Sequence, residues 1–365
     1  MSLRAPRSLA ASLVVLSMLA AAPVRGESRA DDEVALLVQE ARLALDRGDY
    51  PRAGALLDRA LAADPRQIHV YVLRASVHGV GQQYQRAVSV MRKARALAPD
   101  NLDVLTALGV HLVFAREYAE GVPLLEGVVA RAPARYDAQA VLGLHYVRTR
   151  QWRRAIVALQ AYLMARPEVL AREDARHRAH LAEAVLRSGE PKRARALYRQ
   201  VLATDSKNER ARLGLLWATA AIDCRHASTL AARLQDLAAR YPAVILVQAQ
   251  CALAEGAHAR AESLAASYRA RAPDDAQGWG IAGRLAQARG QTKLARDAFQ
   301  RAAALAPRDP RWVYELARAD RRAGNALGAA RRLRAGTPSP ALERAWTVEL
   351  AWALVDLGQH EQATR

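Results

Sequence analysis

The sequence contains few of the residues that favour β-structure. Phenylalanine occurs only twice among 365 residues, and no long alternation of valine, isoleucine and threonine is present. Strands are built mainly from β-branched and aromatic residues, whereas alanine, which dominates the hydrophobic residues of this chain, is the strongest helix former. The composition therefore predicts an all-α protein and gives no support to a β-sheet.

Long hydrophobic runs are also scarce. One apolar run, residues 9–22, follows Arg4 and Arg7 and is itself followed by small residues. That order is typical of a secretory signal peptide, and the run is shorter than the roughly 20 residues that a membrane-spanning helix needs. We therefore expect residues 1–26 to be a cleaved signal peptide and the mature chain not to span a membrane. An uncleaved anchor is the alternative.

Export and charge together restrict the partners. A signal peptide predicts a periplasmic or secreted protein, most simply in a Gram-negative bacterium. Its removal takes three arginines and no acidic residue, which leaves a net charge of +15. A basic surface attracts acidic proteins, anionic polymers or lipid head groups. Nucleic acid is disfavoured, because an exported protein seldom meets it.

Motifs for common enzyme chemistry are missing from the sequence. We find no nucleophile elbow, phosphate-binding loop, paired carboxylates or zinc-protease helix. The histidine pairs, His111 with His145 and His177 with His180, supply two ligands at best, whereas a zinc site needs three or four. We therefore expect no enzyme activity, no cofactor and no metal, and interpret these histidines as interface residues between helices.

What the sequence does contain is a fixed spacing of prolines. Four of them lie 34 residues apart: Pro65, Pro99, Pro133 and Pro167. A period in this range indicates a solenoid of stacked repeats. If each proline is taken as position 32 of a repeat, the first four repeats begin without insertion at Val34, Ile68, Leu102 and Tyr136.

Each repeat has the pattern of two helices joined by a turn. Positions 8 and 20 are alanine or glycine in all four repeats, as is required where two helix backbones approach closely. Gly48 at position 15 allows the chain to reverse. The proline at position 32 cannot continue the second helix because it has no N–H group.

The later chain keeps this pattern less regularly. We interpret residues 27–33 as a short linker, 34–169 as four regular repeats, 170–174 as an insertion, and 175–365 as about six further repeats. The sixth repeat is degenerate, and the tenth stops inside its second helix. The alternative, an alanine-rich bundle without repeats, does not explain the constant phase.

The best-formed repeat begins at Ala276 and carries large, small and helix-ending residues at defined positions, namely Trp279, Gly283, Ala295, Phe299, Ala302 and Pro307. In this respect the chain resembles the tetratricopeptide repeat (TPR) family over residues 34–365. The resemblance implies a right-handed α-solenoid of about ten antiparallel helix-turn-helix repeats. It also implies a non-catalytic scaffold for protein–protein interaction.

The resemblance further implies a concave groove lined by the first helix of each repeat, at positions 2, 5, 9, 12 and 13. The residues at these positions are largely apolar in the second to fourth repeats, and the peptide-binding candidates are His69, Val72, Val110, Val113, Phe114, Leu144, Val147 and Arg148. They are basic later in the chain, at Arg176, Arg187, Arg284, Arg311, Tyr314, Arg318, Arg321 and Arg322.

Such a groove suits an extended or helical peptide with an acidic segment. The alternative is that the valines and leucines belong partly to the core and that the arginines form a solvated face. The sequence leaves both interpretations open.

The chain has only two cysteines, Cys224 and Cys251, which we expect toward the ends of the first helices of the sixth and seventh repeats. Export would permit a disulfide, which would close a loop of about 27 residues and contribute on the order of 3 kcal/mol. Two separate buried thiols are the alternative.

Our leading hypothesis is therefore a non-catalytic adaptor of the cell envelope that binds a protein or peptide in its groove. The alternative is a periplasmic arm that holds an anionic exopolysaccharide during export or assembly, through Arg311, Arg318, Arg321 and Arg322.

Overall fold

A computed structural model describes residues 29–166 and 171–363 of the chain. The expected signal peptide, residues 1–26, lies outside the described residues. The described residues form helices and no strand. The helices are α1 (Arg29–Asp46), α2 (Tyr50–Ala63), α3 (Ile68–Val80), α4 (Tyr84–Leu97), α5 (Leu102–Phe114), α6 (Tyr118–Arg131), α7 (Tyr136–Arg148), α8 (Trp152–Ala165), α9 (Ala171–Arg187), α10 (Pro191–Thr204), α11 (Glu209–Ala220), α12 (Cys224–Ala232), α13 (Gln235–Ala238), α14 (Ala243–Ala254), α15 (His258–Arg271), α16 (Ala276–Ala288), α17 (Thr292–Leu305), α18 (Pro310–Arg322), α19 (Ala326–Ala335), α20 (Glu343–Asp356) and α21 (His360–Ala363).

The chain divides into two compact units, one ending at Glu190 and the other beginning at Pro191. In the first unit, α1 packs on α2, α3 on α4, α5 on α6 and α7 on α8, and each hairpin also contacts the next. The second unit repeats this arrangement from α10 to α21. The prediction of an all-α solenoid of paired helices is confirmed.

Small residues allow the two helices of a repeat to cross closely, as the spacing predicted. A Cβ atom added to Gly109, at position 8 of the third repeat, would lie 2.7 Å from the Leu125 side chain of the paired helix. The same substitution at Gly283 in the eighth repeat would bring the Cβ atom 2.6 Å from the Phe299 ring. Position 24 of the second helix therefore occupies the space that position 8 leaves empty.

The turn between the helices requires a left-handed backbone at position 15. Six repeats have glycine there with positive φ, at Gly48, Gly189, Gly256, Gly290, Gly324 and Gly358. The second to fourth repeats adopt the same conformation without glycine, with φ of 58° at Gln82, 69° at Arg116 and 60° at Arg150. The turn geometry is thus kept even where the side chain disfavours it.

Two expected boundaries differ from the observed helices. Helix α1 begins at Arg29, so most of the expected linker 27–33 is helical. Helix α9 begins at Ala171, so the expected insertion 170–174, whose first residue is not described, largely forms the first turn of a helix. Asp174 in that turn is buried and pairs with Arg166 and Arg178, which ties the start of α9 to the end of α8.

The sixth repeat is irregular in its second half. Its second helix is divided into α12 and the four-residue α13. Cys224 is the first residue of α12, so the expectation that it lies near the end of the first helix is wrong. The chain turns one residue earlier, at Asp223, whose carboxylate accepts a hydrogen bond from the backbone N–H of His226 and caps α12.

The length and hydrophobicity of the helices decide whether any of them could cross a membrane. No helix in the described part of the chain is both long enough and apolar enough to span a bilayer.

Candidate functional site

Aromatic residues begin the second helix of each of the first four repeats, at position 17. They are Tyr50, Tyr84, Tyr118 and Trp152, spaced by 34 residues. Because the repeats stack, Tyr84 and Tyr118 each lie near the C-terminal end of the next first helix. The Tyr84 ring stacks on Phe114 at 5.4 Å between centroids.

The same contact recurs one repeat later with a cation. The Arg148 guanidinium lies over the Tyr118 ring, 4.2 Å from its centroid, and the His145 ring lies 5.2 Å from Tyr118. A guanidinium over an aromatic face is an attractive cation–π arrangement. We name Tyr84, Phe114, Tyr118, His145 and Arg148 the aromatic row.

The aromatic row is accessible to a ligand. Arg148 is exposed, and the four rings of the row are half-buried. Partial burial lowers the pKa of His145, which favours its neutral form. The row can therefore offer flat apolar surface together with one cationic group.

The structure separates the apolar residues expected in the groove into two sets. Val72, Val110 and Val113 are buried between repeats and offer little surface. His69, Leu144 and Val147 are half-buried, and only Phe114 and Arg148 belong to the aromatic row. The alternative interpretation, that valines at these positions are partly core, describes the first set.

The basic residues expected in the groove lie in both compact units. Arg176 and Arg187 are on α9 in the first unit, and the others are on α16 and α18 in the second. Tyr314 on α18 is half-buried, and its ring packs 6.5 Å from that of Trp346 on α20.

Most of these arginines in the second unit have acidic neighbours. Arg284 and Arg318 approach the same carboxylate, Glu315, at 3.5 and 3.6 Å. The Arg321 guanidinium donates to Glu349 at 2.6 Å and lies 3.3 Å from Asp356.

The remaining two arginines differ from one another. Arg311 pairs with Asp309 at 2.6 Å, and this hydrogen bond raises the pKa of Arg311. Within the described ranges, Arg322 is the exposed arginine of this set that forms no salt bridge. Much of the positive charge on α16 and α18 is therefore balanced by carboxylates of the same or the adjacent repeat.

The histidines occupy interfaces between helices. His111 is buried, and neither ring nitrogen has a hydrogen-bond partner among the described residues. Burial lowers the pKa of His111 to about 4. The buried His177 ring lies 4.2 Å from that of Tyr162. Across residues 29–166 and 171–363, no three His, Cys, Asp or Glu side chains are placed to bind one metal ion.

The two cysteines are neighbours in the core of the second unit. Both are thiols, Cys251 buried and Cys224 half-buried, and they belong to the same hydrophobic cluster. Burial raises the pKa of the Cys251 thiol. A disulfide between them stays a prediction, since it also needs suitable Cα and Cβ separations.

Sequence reasoning missed Tyr84 and Tyr118 as site residues. The indication was present, because an aromatic residue recurs every 34 residues at the first position of the second helix. Only first-helix positions were considered as groove-lining, whereas the second helix contributes its first residue to the same edge.

Comparison with known proteins agrees with the helix pairs described above. A family profile described as tetratricopeptide repeat matches residues 38–101, 106–168 and 140–209. No curated protein matches the sequence.

The chain is similar to several solved structures. PilF of Pseudomonas aeruginosa is 22% identical over 61% of this chain and 100% of its own, with a TM-score of 0.51. PilW, described as a widely conserved type IV pilus biogenesis factor, is 19% identical over 58% of this chain and 96% of its own, with a TM-score of 0.47. MamA of Desulfovibrio magneticus is 25% identical over 49% of this chain and 98% of its own, with a TM-score of 0.40. The similarity to PilF supports the fold.

Proposed function

Since this chain belongs to the tetratricopeptide repeat family, we propose that it is a non-catalytic scaffold of the bacterial cell envelope that binds a protein or peptide. The observation that carries the proposal is the aromatic row, a half-exposed series of rings along the edge of successive repeats. Aromatic residues and arginine dominate the energetics of protein interfaces.

The aromatic row indicates which partner chemistry fits. Phe114 and Tyr84 offer a flat surface to an apolar or aromatic side chain, at low entropic cost because their rings are already packed together. Arg148 is exposed and can add a charge-assisted hydrogen bond to a carboxylate. We therefore propose a peptide with an apolar anchor and an acidic residue nearby.

The envelope location rests on the N-terminal sequence. Residues 1–26 follow the order of a signal peptide, and the rest of the chain is strongly basic. An exported scaffold of this charge meets acidic envelope proteins under the long-range attraction that a basic surface provides.

Binding of an anionic exopolysaccharide is the less supported alternative. It needs arginines whose charge is available to a polymer, and Arg311, Arg318 and Arg321 each have a carboxylate within salt-bridge distance. Among these four arginines, Arg322 forms no salt bridge within the described part of the chain.

The test is a cross-linking pull-down of the full chain from its native host, with the captured material analysed for protein and for sugar. We expect a recurrent protein partner for the wild type. A Phe114→Ala/Arg148→Ala double variant should weaken its binding at least about tenfold, since loss of interface hot spots costs more than about 1.4 kcal/mol.

A matched control is Val157→Ala, which removes an exposed apolar side chain from the second helix α8. This variant should keep the partner, and circular dichroism should show the same helicity for all three proteins. Undiminished binding by the double variant would refute the assignment to the aromatic row. Captured sugar without protein, released by salt, would favour the exopolysaccharide alternative.

A further inference from the structure

Helix α20 exposes an apolar stripe on one face. Val348, Trp352 and Val355 are 49%, 53% and 36% exposed. Their spacing of four and three residues places them side by side on the helix surface. An exposed tryptophan between two exposed valines is an unusual surface in a protein whose first helices are otherwise largely buried, and it needs a physical account.

Repeat numbering shows which surface this is. The eighth, ninth and tenth repeats begin at Ala276, Pro310 and Arg344, so the stripe occupies positions 5, 9 and 12 of the tenth repeat. Elsewhere in the array, these positions of one first helix contact positions 3, 6 and 10 of the next first helix.

Three contacts establish this pairing. At position 5, a Cβ atom on Gly280 would overlap the ring of Trp312 at position 3 of the next repeat. At position 9, Arg284 lies 3.5 Å from Glu315 at position 6. At position 12, a Cβ atom on Gly79 would lie 2.9 Å from the ring of His111 at position 10.

Between the third and fourth repeats, this face of the first helix is buried. Thr106, Val110 and Val113, at positions 5, 9 and 12 of α5, are buried, and α5 contacts α7 of the next repeat. Val348, Trp352 and Val355 therefore form one half of a repeat–repeat interface, and no described residue covers them.

The matching half is exposed on α1. Positions 3, 6 and 10 of the first repeat are Leu36, Gln39 and Leu43, and the two leucines are 58% and 50% exposed. The equivalent residues of α3 are buried, namely Val70, Leu73 and Val77. The chain thus displays both halves of the interface that joins its own repeats.

We infer that two copies of this chain associate head to tail, with α20 of one copy stacked on α1 of the other. The stacking rule pairs Val348 with Leu36, Trp352 with Gln39 and Val355 with Leu43 across the contact. The interface is heterologous, because each copy contributes a different surface. Each added copy still displays one free surface of each kind, so association continues beyond a dimer.

The experiment measures the mass of the full chain by sedimentation velocity over a range of concentrations. We expect the wild type to form oligomers whose mean mass rises with concentration. Trp352→Glu and Leu43→Glu should each be monomeric, because a charge buried in an apolar interface is strongly unfavourable. Val348→Arg serves as a second variant in the same stripe.

Mixing the two single variants tests the head-to-tail arrangement itself. The Trp352→Glu copy keeps an intact α1, and the Leu43→Glu copy keeps an intact α20. An equimolar mixture should therefore form dimers, twice the monomer mass, and nothing larger.

A matched control is Val157→Glu, which places the same charge on an exposed valine of α8 and should assemble like the wild type. A wild-type chain that stays monomeric at about 100 μM would overturn the inference. Oligomers that persist in Trp352→Glu would also overturn it. So would a variant mixture that stays monomeric, because that result would indicate a symmetric contact or another partner on α20.

Discussion

At the scale of single residues, the surroundings of His111 disfavour its charged form. It is buried without a hydrogen-bond partner among the described residues, its ring lies against Gly79, and His78 is a nearby basic group. Both the loss of water and the neighbouring histidine disfavour the imidazolium form. The folded chain therefore holds this histidine neutral well below the pH at which it would ionise in water.

This predicts a stability that falls in mild acid. Since the pKa of His111 is about 4 in the folded protein, against an ordinary value of 6.5 for a histidine in water, the unfolded chain binds a proton between these values that the folded chain does not. Stability is then lost as the pH falls from 6.5 toward 4, by about 2 kcal/mol at pH 5. Urea unfolding of the wild type and of His111→Leu at pH 7 and pH 5 measures the effect.

In His111→Leu the loss between pH 7 and pH 5 should shrink by about that amount. The control, His258→Gln, alters a half-buried histidine at the first position of α15 and should leave the loss unchanged. An equal acid sensitivity of His111→Leu and the wild type would assign the loss to other groups.

At the scale of the helical element, the turn at position 15 is the most repeated local feature. Nine residues of the described chain have positive φ, and all of them occupy this position. A left-handed backbone costs a non-glycine residue roughly 1 kcal/mol or more. The second to fourth repeats bear this cost at Gln82, Arg116 and Arg150, because the helices on either side require the reversal.

Replacing one of these residues with glycine should therefore stabilise the protein. We expect Arg116→Gly to raise the free energy of unfolding by about 1 kcal/mol through the relief of backbone strain. The greater conformational entropy of glycine in the unfolded chain reduces this gain. Chemical denaturation monitored by helicity provides the measurement.

The reverse change, Gly290→Ala, is the matched control. A Cβ atom at Gly290 meets no other atom within 4 Å, so any loss of stability comes from the backbone alone. A destabilised Arg116→Gly variant would mean that the arginine side chain contributes more than its backbone conformation costs.

At the scale of the whole molecule, contacts are local in the sequence. Each hairpin packs on its neighbours, and the chain separates into one unit up to Glu190 and another from Pro191. In such arrays, stability is close to a sum of repeat terms and nearest-neighbour terms. A perturbation should therefore spread over adjacent repeats and not over the entire chain.

Gly283→Val tests this expectation. The added side chain would collide with the Phe299 ring, and overpacking of this kind costs about 2 kcal/mol. Hydrogen exchange followed by mass spectrometry should then show faster exchange in α15 to α18 and unchanged exchange in α3 to α6.

The control is Gly127→Ala on α6, where an added Cβ atom meets nothing within 4 Å. This variant should leave the hydrogen-exchange rates of all helices no faster than in the wild type. Uniformly faster exchange of Gly283→Val across both units would show that the chain unfolds as one cooperative body.

The sequence alone predicted the helices, their pairing and the 34-residue period, because these follow from local propensity, small residues and prolines at fixed spacing. It did not predict the helical start of α9 or the divided second helix of the sixth repeat. The start of α9 depends on the packing of particular side chains, such as buried Asp174 against Arg166.

Tertiary structure alone decided which predicted site residues can meet a ligand. Val110 and Phe114 occupy neighbouring turns of one helix, yet the next repeat buries the first and leaves the second half-exposed on Tyr84. The arginines of α18 look like an unbalanced cluster in the sequence, but Glu349, 28 residues after Arg321, pairs with one of them. The exposure of Val110 and Phe114 and the pairing of Arg321 depend on side chains from adjacent repeats, which come together only when the repeats stack.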